Sequence, residues 1–251
     1  MSVRGVIFDM GGTLLHYNAP GADWEDTEKA GAEAVYTLLS AAGYALPPRD
    51  EALTQAWELA RALWAAIVAQ GQHVENVRLD QQIRQVVAAW GVPPLPLPVL
   101  ERAAHAYMSA IQVHVYPLEG AAHTLDALRR QGLRLGLISN THWPGHYHIE
   151  DLERFALRPY FDHLVFSADV AAWKPGQEIF ALGLAGLELD ASEAVYVGDS
   201  LYFDVWGAQQ AGLRGVWIEQ AHRWLPNGLQ VTPDATIRTL PELIEIIRRW
   251  L

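Results

Sequence analysis

The second half of the chain alternates between short apolar runs and amphipathic segments. Strands are predicted at about 133–139, 163–166, 194–197, 215–218 and 235–237. Helices are predicted between and after them at about 121–130, 178–184, 205–211 and 241–250. This alternation is typical of a parallel sheet covered by helices on both faces. The pattern therefore predicts an α/β fold, and the apolar run Val6–Phe8 adds a strand at the start of the chain.

A long block between the first strand and Pro117 carries no strand signal. Helical spacing of apolar residues predicts four helices there, which end near Gly43, Gln70, Gly91 and Ile111. We therefore expect an all-α domain at residues 17–116, inserted into a core domain made of residues 1–16 and 117–251. Trp57, Trp64 and Trp90 lie on the apolar faces of these helices and are predicted to be core residues. Trp24, near the start of the block, is the candidate for a contact with substrate.

Polar side chains follow the predicted strands at four places in the chain. They are Asp9, the pair Ser139-Asn140, Lys174, and Asp199 with Asp204. Open α/β sheets bind ligands at the carboxyl ends of their strands, so these side chains are expected to converge. Each could separately be ordinary turn chemistry, because Asp, Ser and Asn are frequent in turns. The four together, in this order and each beside a strand, indicate a functional site much more specifically than any one of them does.

These residues resemble the motifs of the haloacid dehalogenase superfamily of hydrolases, most of which are phosphatases. The resemblance covers nearly the whole chain. It implies a Rossmann-like core domain with a helical cap domain inserted after the first motif.

The resemblance also implies a role for each matching residue. Asp9 matches the nucleophile, and Thr13 matches the hydroxyl that closes the first motif. Ser139, with Asn140 beside it, matches the phosphate-binding motif, and Lys174 matches the cation that holds both nucleophile and phosphoryl group. Asp199 matches the acidic metal ligand, and Asp204 matches a second ligand or a neighbour of the ligands.

The chemistry of phosphoryl transfer explains these residue types. A carboxylate can attack phosphorus and form an aspartyl-phosphate, which divides one difficult displacement into two easier ones. Because the nucleophile and the phosphate are both anionic, a cation is needed between them. The chain contains no Cys, and oxygen ligands suit Mg²⁺ better than Zn²⁺. The sequence therefore predicts a Mg²⁺-dependent phosphatase that acts on a small phosphorylated metabolite.

Gly11 departs from the pattern of the superfamily phosphatases. These usually carry Asp two residues after the nucleophile, where the side chain protonates the leaving alcohol and then activates water. Gly11 offers only its backbone carbonyl, which can still ligate Mg²⁺. A positioned acid/base typically contributes ~10²–10⁴ in rate, so weak activity is expected.

Four interpretations of Gly11 stay open. The protein is a slow phosphatase suited to acyl or aryl phosphates, or it recruits a substitute such as His16 or a histidine of the 142–148 segment. Alternatively, it resembles phosphonoacetaldehyde hydrolase, for which Lys29, the only Lys of the helical insertion, would have to form the Schiff base. Finally, it binds a phosphate ligand without turnover. A dehalogenase-like activity is disfavoured because those relatives lack the acidic motif seen at Gly198-Asp199-Ser200.

The histidines at 142, 146 and 148 follow the Ser-Asn pair directly and should border the site. Histidines so spaced could bind a metal, but a polar loop that contacts substrate or solvent is favoured. His222, Arg223 and Trp224, after the strand at 215–218, are further candidates for facing the site.

Composition excludes several classes of function. The formal net charge of −11 argues against non-specific binding to nucleic acid, whose phosphates require a basic surface. No apolar run reaches the roughly 18 residues that a membrane-spanning helix needs. The start of the chain lacks the pattern of a signal peptide, so a cytoplasmic protein is expected. The oligomeric state stays open.

Overall fold

The computed structural model of the protein describes residues 2–18, 21–70, 78–219 and 224–251. Its strands are β1 (Gly5–Phe8), β2 (Leu15–His16), β3 (Tyr116–Pro117), β4 (Arg134–Ser139), β5 (His163–Phe166), β6 (Ala194–Gly198), β7 (Arg214–Ile218) and β8 (Ala235–Ile237). Its helices are α1 (Trp24–Ala41), α2 (Arg49–Gln70), α3 (Leu79–Ala89), α4 (Leu97–Gln112), α5 (Ala121–Arg130), α6 (Gly145–Arg154), α7 (Gln177–Leu187), α8 (Gly207–Gln210) and α9 (Glu242–Trp250). A π-helical turn, Leu201–Trp206, leads into α8.

Six strands form one parallel sheet in the order β5-β4-β1-β6-β7-β8. Strand β1 is central: Gly5 is paired with Arg134 of β4 on one side and with Ala194 of β6 on the other. All four residues of β1 are buried, as expected for a strand covered on both faces. The predicted α/β core is therefore confirmed.

Alternate residues of β1 face two different hydrophobic clusters. Val6 and Phe8 pack with side chains of α5, α6 and α9 on one face of the sheet. Ile7 packs with side chains of α7 and α8 on the other face. This alternation follows from the two-residue period of a strand. Asp9 follows Phe8 directly, at the carboxyl end of this central strand.

Helices α1 to α4 lie between β2 and β3 and bury a hydrophobic cluster of their own. Helix α1 begins at Asp23, whose side chain accepts a hydrogen bond from the Asp26 backbone N–H at 3.0 Å, and Asp26 returns the contact at 3.2 Å. Such a capping box satisfies two backbone donors that the helix leaves unpaired. Trp143 and Tyr147, which follow β4, complete this cluster from the core side.

The helical insertion joins the sheet through two short antiparallel strands that the sequence did not predict. Leu15 pairs with Pro117, and His16 pairs with Tyr116. The chain thus enters and leaves the insertion at neighbouring points, close to the carboxyl end of β1. In the described part of the chain, no helix has both the length and the apolar character needed to cross a bilayer.

The prediction of three core tryptophans in the insertion is correct for one of them. Trp90 is buried and donates its indole N–H to the Ala52 carbonyl at 3.0 Å. Trp57 is only half-buried. Trp64 is 47% exposed and contacts Phe203 of the core instead. Helical periodicity identifies a face of α2, but it does not tell whether that face meets a core or a cavity.

Candidate active site

A buried ion-pair cluster lies at the carboxyl ends of β1 and β6. The Lys174 ammonium donates hydrogen bonds to Asp9 Oδ1 at 2.7 Å and to Asp204 Oδ1 at 2.6 Å. It also contacts the Tyr196 hydroxyl at 2.8 Å, which in turn donates to the Ile138 carbonyl at 2.9 Å. Burial by itself lowers the pKa of Lys174, but the carboxylates of Asp204 and Asp9 outweigh it and raise the pKa. Lys174 is therefore a fixed positive charge.

Asp9 is the residue at which the central strand ends. Its backbone N–H donates to the Val197 carbonyl at 2.8 Å, which fixes the residue between β1 and β6. The Thr13 hydroxyl lies 3.4 Å from Asp9 Oδ2 and is itself fully buried. Burial raises the pKa of Asp9 to about 6, against the lowering effect of Lys174.

Three carboxylates converge beside this lysine. Oxygens of Asp9, Asp199 and Asp204 all lie within 4.8 Å of one another, and within the described ranges no other group of acids and histidines has this spacing. Burial and the neighbouring charge of Asp9 raise the pKa of Asp199 well above its usual range. One ammonium balances only one of three negative charges. An all-oxygen set of this kind, with net negative charge, fits Mg²⁺.

Two glycines allow the carboxylates to approach so closely. A Cβ at Gly12 would lie 2.3 Å from Asp199 Oδ2, and Gly12 has a positive φ of 75°. A Cβ at Gly198 would lie 2.3 Å from Asp204 Cγ. No side chain fits at either position, so both glycines are explained by the geometry of the acidic cluster.

The loop after β4 fixes the backbone of Lys174 by two hydrogen bonds. The Asn140 amide donates to the Lys174 carbonyl at 3.0 Å and accepts from the Lys174 backbone N–H at 2.8 Å. Ser139 is buried at the same edge of the sheet. Both residues line the central cavity with the acids, and their predicted contact with phosphate stays a prediction.

The segment with three histidines is not the polar loop that the sequence suggested. Residues from Gly145 onward form α6, so His146 and His148 are helical. His146 is exposed, whereas His148 is buried and stacked between Trp143 and Phe166. Polar residues occupy inward positions of this short helix, which conceals its amphipathic pattern.

His148 connects Tyr17, at the start of the insertion, to the loop after β4. Its Nδ1 lies 2.9 Å from the Tyr17 hydroxyl, and its Nε2 lies 2.8 Å from Thr141 Oγ1. Burial lowers the pKa of His148 to about 3, so the ring is neutral. Burial likewise lowers the pKa of His142 to about 4. The three histidines do not converge on one point as a metal site would require.

A cavity of about 740 Å³ opens above the acidic cluster, between the sheet and the insertion. Most of the predicted site residues line it: Asp9, Gly11, Ser139, Asn140, Lys174, Asp199 and Asp204. Thr13 lies buried behind Asp9 rather than on the wall. Trp24, the predicted contact with substrate, is on the wall, as is His16. His222 and Arg223 lie outside the described residues.

Sequence reasoning missed several residues of this site. Tyr196 was read only as part of an apolar strand, although a Tyr within such a run needs a partner for its hydroxyl. Tyr17 and Phe203 were also missed and line the cavity, as does Trp224, which the sequence had placed among the candidates for facing the site. They lie in turns and loops, where no periodic pattern indicates which way a side chain points.

The family model of haloacid dehalogenase-like hydrolases matches residues 3–212. The chain belongs to this family. The resemblance drawn from the motifs is thereby confirmed.

Known members similar to this chain differ in their activities. Pyrimidine 5'-nucleotidase YjjG of Escherichia coli is 36% identical over 146 residues, which are 57% of this chain and 61% of the nucleotidase. The matched segment thus spans less than two thirds of that relative. Glyceraldehyde 3-phosphate phosphatase of Methanocaldococcus jannaschii is 26% identical over 250 residues, 98% of this chain and 97% of the relative. The solved structure of a 2-haloacid dehalogenase from Pseudomonas syringae pv. Tomato DC3000 has a TM-score of 0.68 and 25% identity, and covers 99% of this chain and 100% of that one.

Proposed function

We propose that this chain is a Mg²⁺-dependent phosphatase that cleaves a small phosphate monoester with Asp9 as nucleophile. The observation that carries the proposal is the buried Lys174 between Asp9 and Asp204, with Asp199 beside them on a cavity wall. Relatives named as phosphatases and as a nucleotidase support phosphate esters as the substrate class. We also propose that residues 17–116 act as a cap over this site, carried by a core of residues 1–16 and 117–251.

In this proposal the reaction has two displacements. An Asp9 oxygen attacks phosphorus, and the bond from phosphorus to the ester oxygen breaks, leaving its electron pair on that oxygen. Water then attacks the aspartyl-phosphate, the bond between phosphorus and Asp9 breaks, and phosphate leaves with the carboxylate restored. Lys174 offsets the charge on the phosphoryl oxygens, and Ser139 and Asn140 orient them by hydrogen bonds.

Asp9, Asp199 and Asp204 would hold Mg²⁺, together with the backbone carbonyl of Gly11. When bound, the ion would offset the repulsion between nucleophile and phosphate and orient the phosphate for attack. Asp204 also accepts a hydrogen bond from the Ser200 backbone N–H at 2.9 Å. This contact, with the ion pair to Lys174, fixes its carboxylate, so Asp204 either ligates the ion or orients its ligands.

Gly11 determines which leaving groups this site handles well. No carboxyl group stands two residues after Asp9, so the leaving oxygen must depart without a positioned acid at that place. An aryl or acyl oxygen departs as a stable anion and needs little protonation. An alkyl oxygen needs a proton, so alkyl phosphates should be the slower substrates.

Two other functions find less support in the structure, and a third fits it equally well. Lys29 forms an ion pair with Glu25 on α1 and is not among the residues that line the cavity, so a Schiff base there is disfavoured. A dehalogenase has no use for a metal site, whereas three carboxylates meet here. A phosphate-binding protein without turnover shares the whole geometry, and only a rate measurement separates it from a phosphatase.

The decisive experiment is hydrolysis of phenyl phosphate with and without Mg²⁺. We expect turnover that requires the ion and is abolished in Asp9→Asn. The exposed Asp50, changed to Asn, is the matched control and should leave the rate unchanged. Calorimetric titration with Mg²⁺ should show binding that Asp199→Asn weakens. Binding without turnover would establish the non-catalytic alternative, and turnover by Asp9→Asn would exclude Asp9 as nucleophile.

A further inference from the structure

The tryptophans exposed in the described part of the chain gather at one place. They are Trp24, Trp64 and Trp224, which are 37%, 47% and 46% exposed. All three line the cavity above the acidic cluster. A single exposed apolar side chain needs no explanation, but three of the largest at one opening indicate a surface kept for a ligand.

Three aromatic rings form a continuous wall along this cavity, and we name them the aromatic wall: Trp64, Phe203 and Trp224. The Phe203 ring is stacked on Trp224 with centroids 5.9 Å apart and planes 20° apart. Trp64 reaches it from the insertion, with its centroid 6.3 Å from that of Phe203. Since Phe203 precedes Asp204 in the chain, the wall begins beside the acidic cluster and extends away from it.

The charge of the cavity lining favours an uncharged group on the ligand, beyond its phosphate. Among the described lining residues Lys174 is the one Lys or Arg, and its ammonium is already shared by Asp9 and Asp204. His142 and His148 are neutral because burial lowers the pKa of each ring. A second phosphate or a carboxylate on the substrate would find no other cation among the described residues of these walls. An uncharged flat ring would find three aromatic faces.

We propose that the aromatic wall binds a flat aromatic ring of the substrate, which is therefore a phosphate monoester that carries such a ring. The proposal rests on the proposed function for the phosphate end of the ligand. Two sources share this chemistry: an aryl phosphate, with the ring on the ester oxygen, and a nucleoside monophosphate, with the ring beyond a sugar. Stacking on Trp64 and Phe203 does not depend on which aromatic ring the substrate carries. It is strong enough to favour compounds with a ring over compounds without one.

The test measures binding separately from turnover. In the Asp9→Asn background, calorimetry gives the Kd of phenyl phosphate, of a pyrimidine nucleoside monophosphate and of propyl phosphate, which has no ring. We expect at least one ring-bearing compound to bind about tenfold tighter than propyl phosphate. Trp64→Leu should remove most of that difference and leave the Kd of propyl phosphate unchanged. The two ring-bearing compounds then distinguish an aryl phosphate from a nucleotide.

The matched control is Trp57→Leu, because Trp57 lies on the same helix α2, is half-buried and does not line the cavity. It should preserve the preference for a ring. Equal Kd values with and without a ring, or a ring preference that survives Trp64→Leu, would overturn the inference. If the aromatic wall only joins the insertion to the core, Trp64→Leu would lower the melting temperature and leave the ring preference intact.

The two proposals fail in different ways. Turnover of phenyl phosphate by the unaltered chain, without any ring preference in binding, would contradict the aromatic wall alone. Tight binding of ring-bearing phosphates without turnover would contradict the phosphatase and support the wall. Absence of binding by every phosphate compound would contradict both.

Discussion

The ring of Tyr17 lies 3.7 Å from the point that a Cβ on Gly11 would occupy. Apart from Gly11 and its chain neighbours, no other group of the described residues comes within 4 Å of that point, and the contact is an ordinary van der Waals distance. Gly11 also lacks the positive φ that Gly12 has. The backbone and its surroundings thus accept a side chain at Gly11, and the missing acid is a matter of chemistry rather than of space.

Replacement of Gly11 by Asp should restore the missing acid. We expect turnover of glycerol phosphate to rise by up to ~10²–10⁴ and turnover of phenyl phosphate to rise much less, because only the alkyl oxygen needs a proton. The ratio of the two kcat values measures this effect. Gly11→Asn is the control of equal size without an acidic proton. An equal gain for both substrates would show that protonation is not the missing step.

The adjacent residues Gly11 and Gly12 should differ in how well they tolerate replacement by Ala. Gly12→Ala forces a Cβ against Asp199 and places Ala at positive φ, which by itself costs about 1–2 kcal/mol. We expect it to weaken Mg²⁺ binding in calorimetry and to lower the melting temperature. Gly11→Ala should leave both nearly unchanged. If the two variants lost Mg²⁺ affinity and melting temperature to a similar extent, the close approach of Asp199 to Gly12 would not be what requires a glycine there.

The convergence of acids and lysine was predictable because it depends on strand ends. Buried strands are short apolar runs, and the residue after each run must lie at the same edge of a parallel sheet. Asp9 and Asp199 were located in this way. The bonds of Asn140 to the Lys174 backbone were not predictable, since they depend on how two loops fold toward each other. Sequence spacing contains no information about such a contact.

Asn140 should act by positioning Lys174. Asn140→Ala removes both hydrogen bonds to the Lys174 backbone, so we expect a loss of about 1–3 kcal/mol of unfolding free energy. We also expect a lower kcat for phenyl phosphate, because the ammonium is less well fixed beside Asp9. Asn227, which is exposed, provides the control Asn227→Ala. Unchanged stability together with a raised KM would show that Asn140 acts through the phosphate alone and does not position Lys174.

A buried acid in the insertion should make stability depend on pH. Glu28 accepts hydrogen bonds from Gln82 at 3.1 Å and from Tyr107 at 2.5 Å, yet its Oε1 atom has no partner. Burial raises the pKa of Glu28 from 4.5 to about 7. Between pH 4.5 and about pH 7 the carboxyl group of Glu28 is therefore protonated in the folded chain, whereas it is ionised in the unfolded chain. The contribution of Glu28 to stability is full below pH 4.5 and is lost as the pH rises toward 7.

Glu28→Gln tests this pH dependence, because the amide carries no charge at any pH. Relative to the unaltered chain it should gain about 1–3 kcal/mol of unfolding free energy at about pH 8 and much less at about pH 5. Urea denaturation at the two pH values gives the difference. Glu58→Gln, at an exposed position of α2, should show no such change. A constant gain at both pH values would mean that the pKa of Glu28 is the same in the folded and the unfolded chain, and that burial does not raise it.

Trp64 and His148 show why some of the site could not be predicted. Trp64 stands at a position of α2 that periodicity assigns to the apolar face, but that face reaches beyond the hydrophobic cluster to the cavity. His148 is a polar residue on the inner face of α6, so the helix does not display an apolar stripe. In both cases the surroundings, created by tertiary packing, decide the role of the side chain.

The two-residue ladder between Leu15–His16 and Tyr116–Pro117 has a consequence for how such chains diversify. Its paired strands bring both ends of the insertion together, and no strand of the six-stranded sheet lies within the insertion. Everything between them can therefore be exchanged for a different set of helices without reordering the sheet, provided that Trp143 and Tyr147 are still covered. Evolution can thus replace the part of the wall that Trp64 contributes while the residues beside Asp9 stay in place.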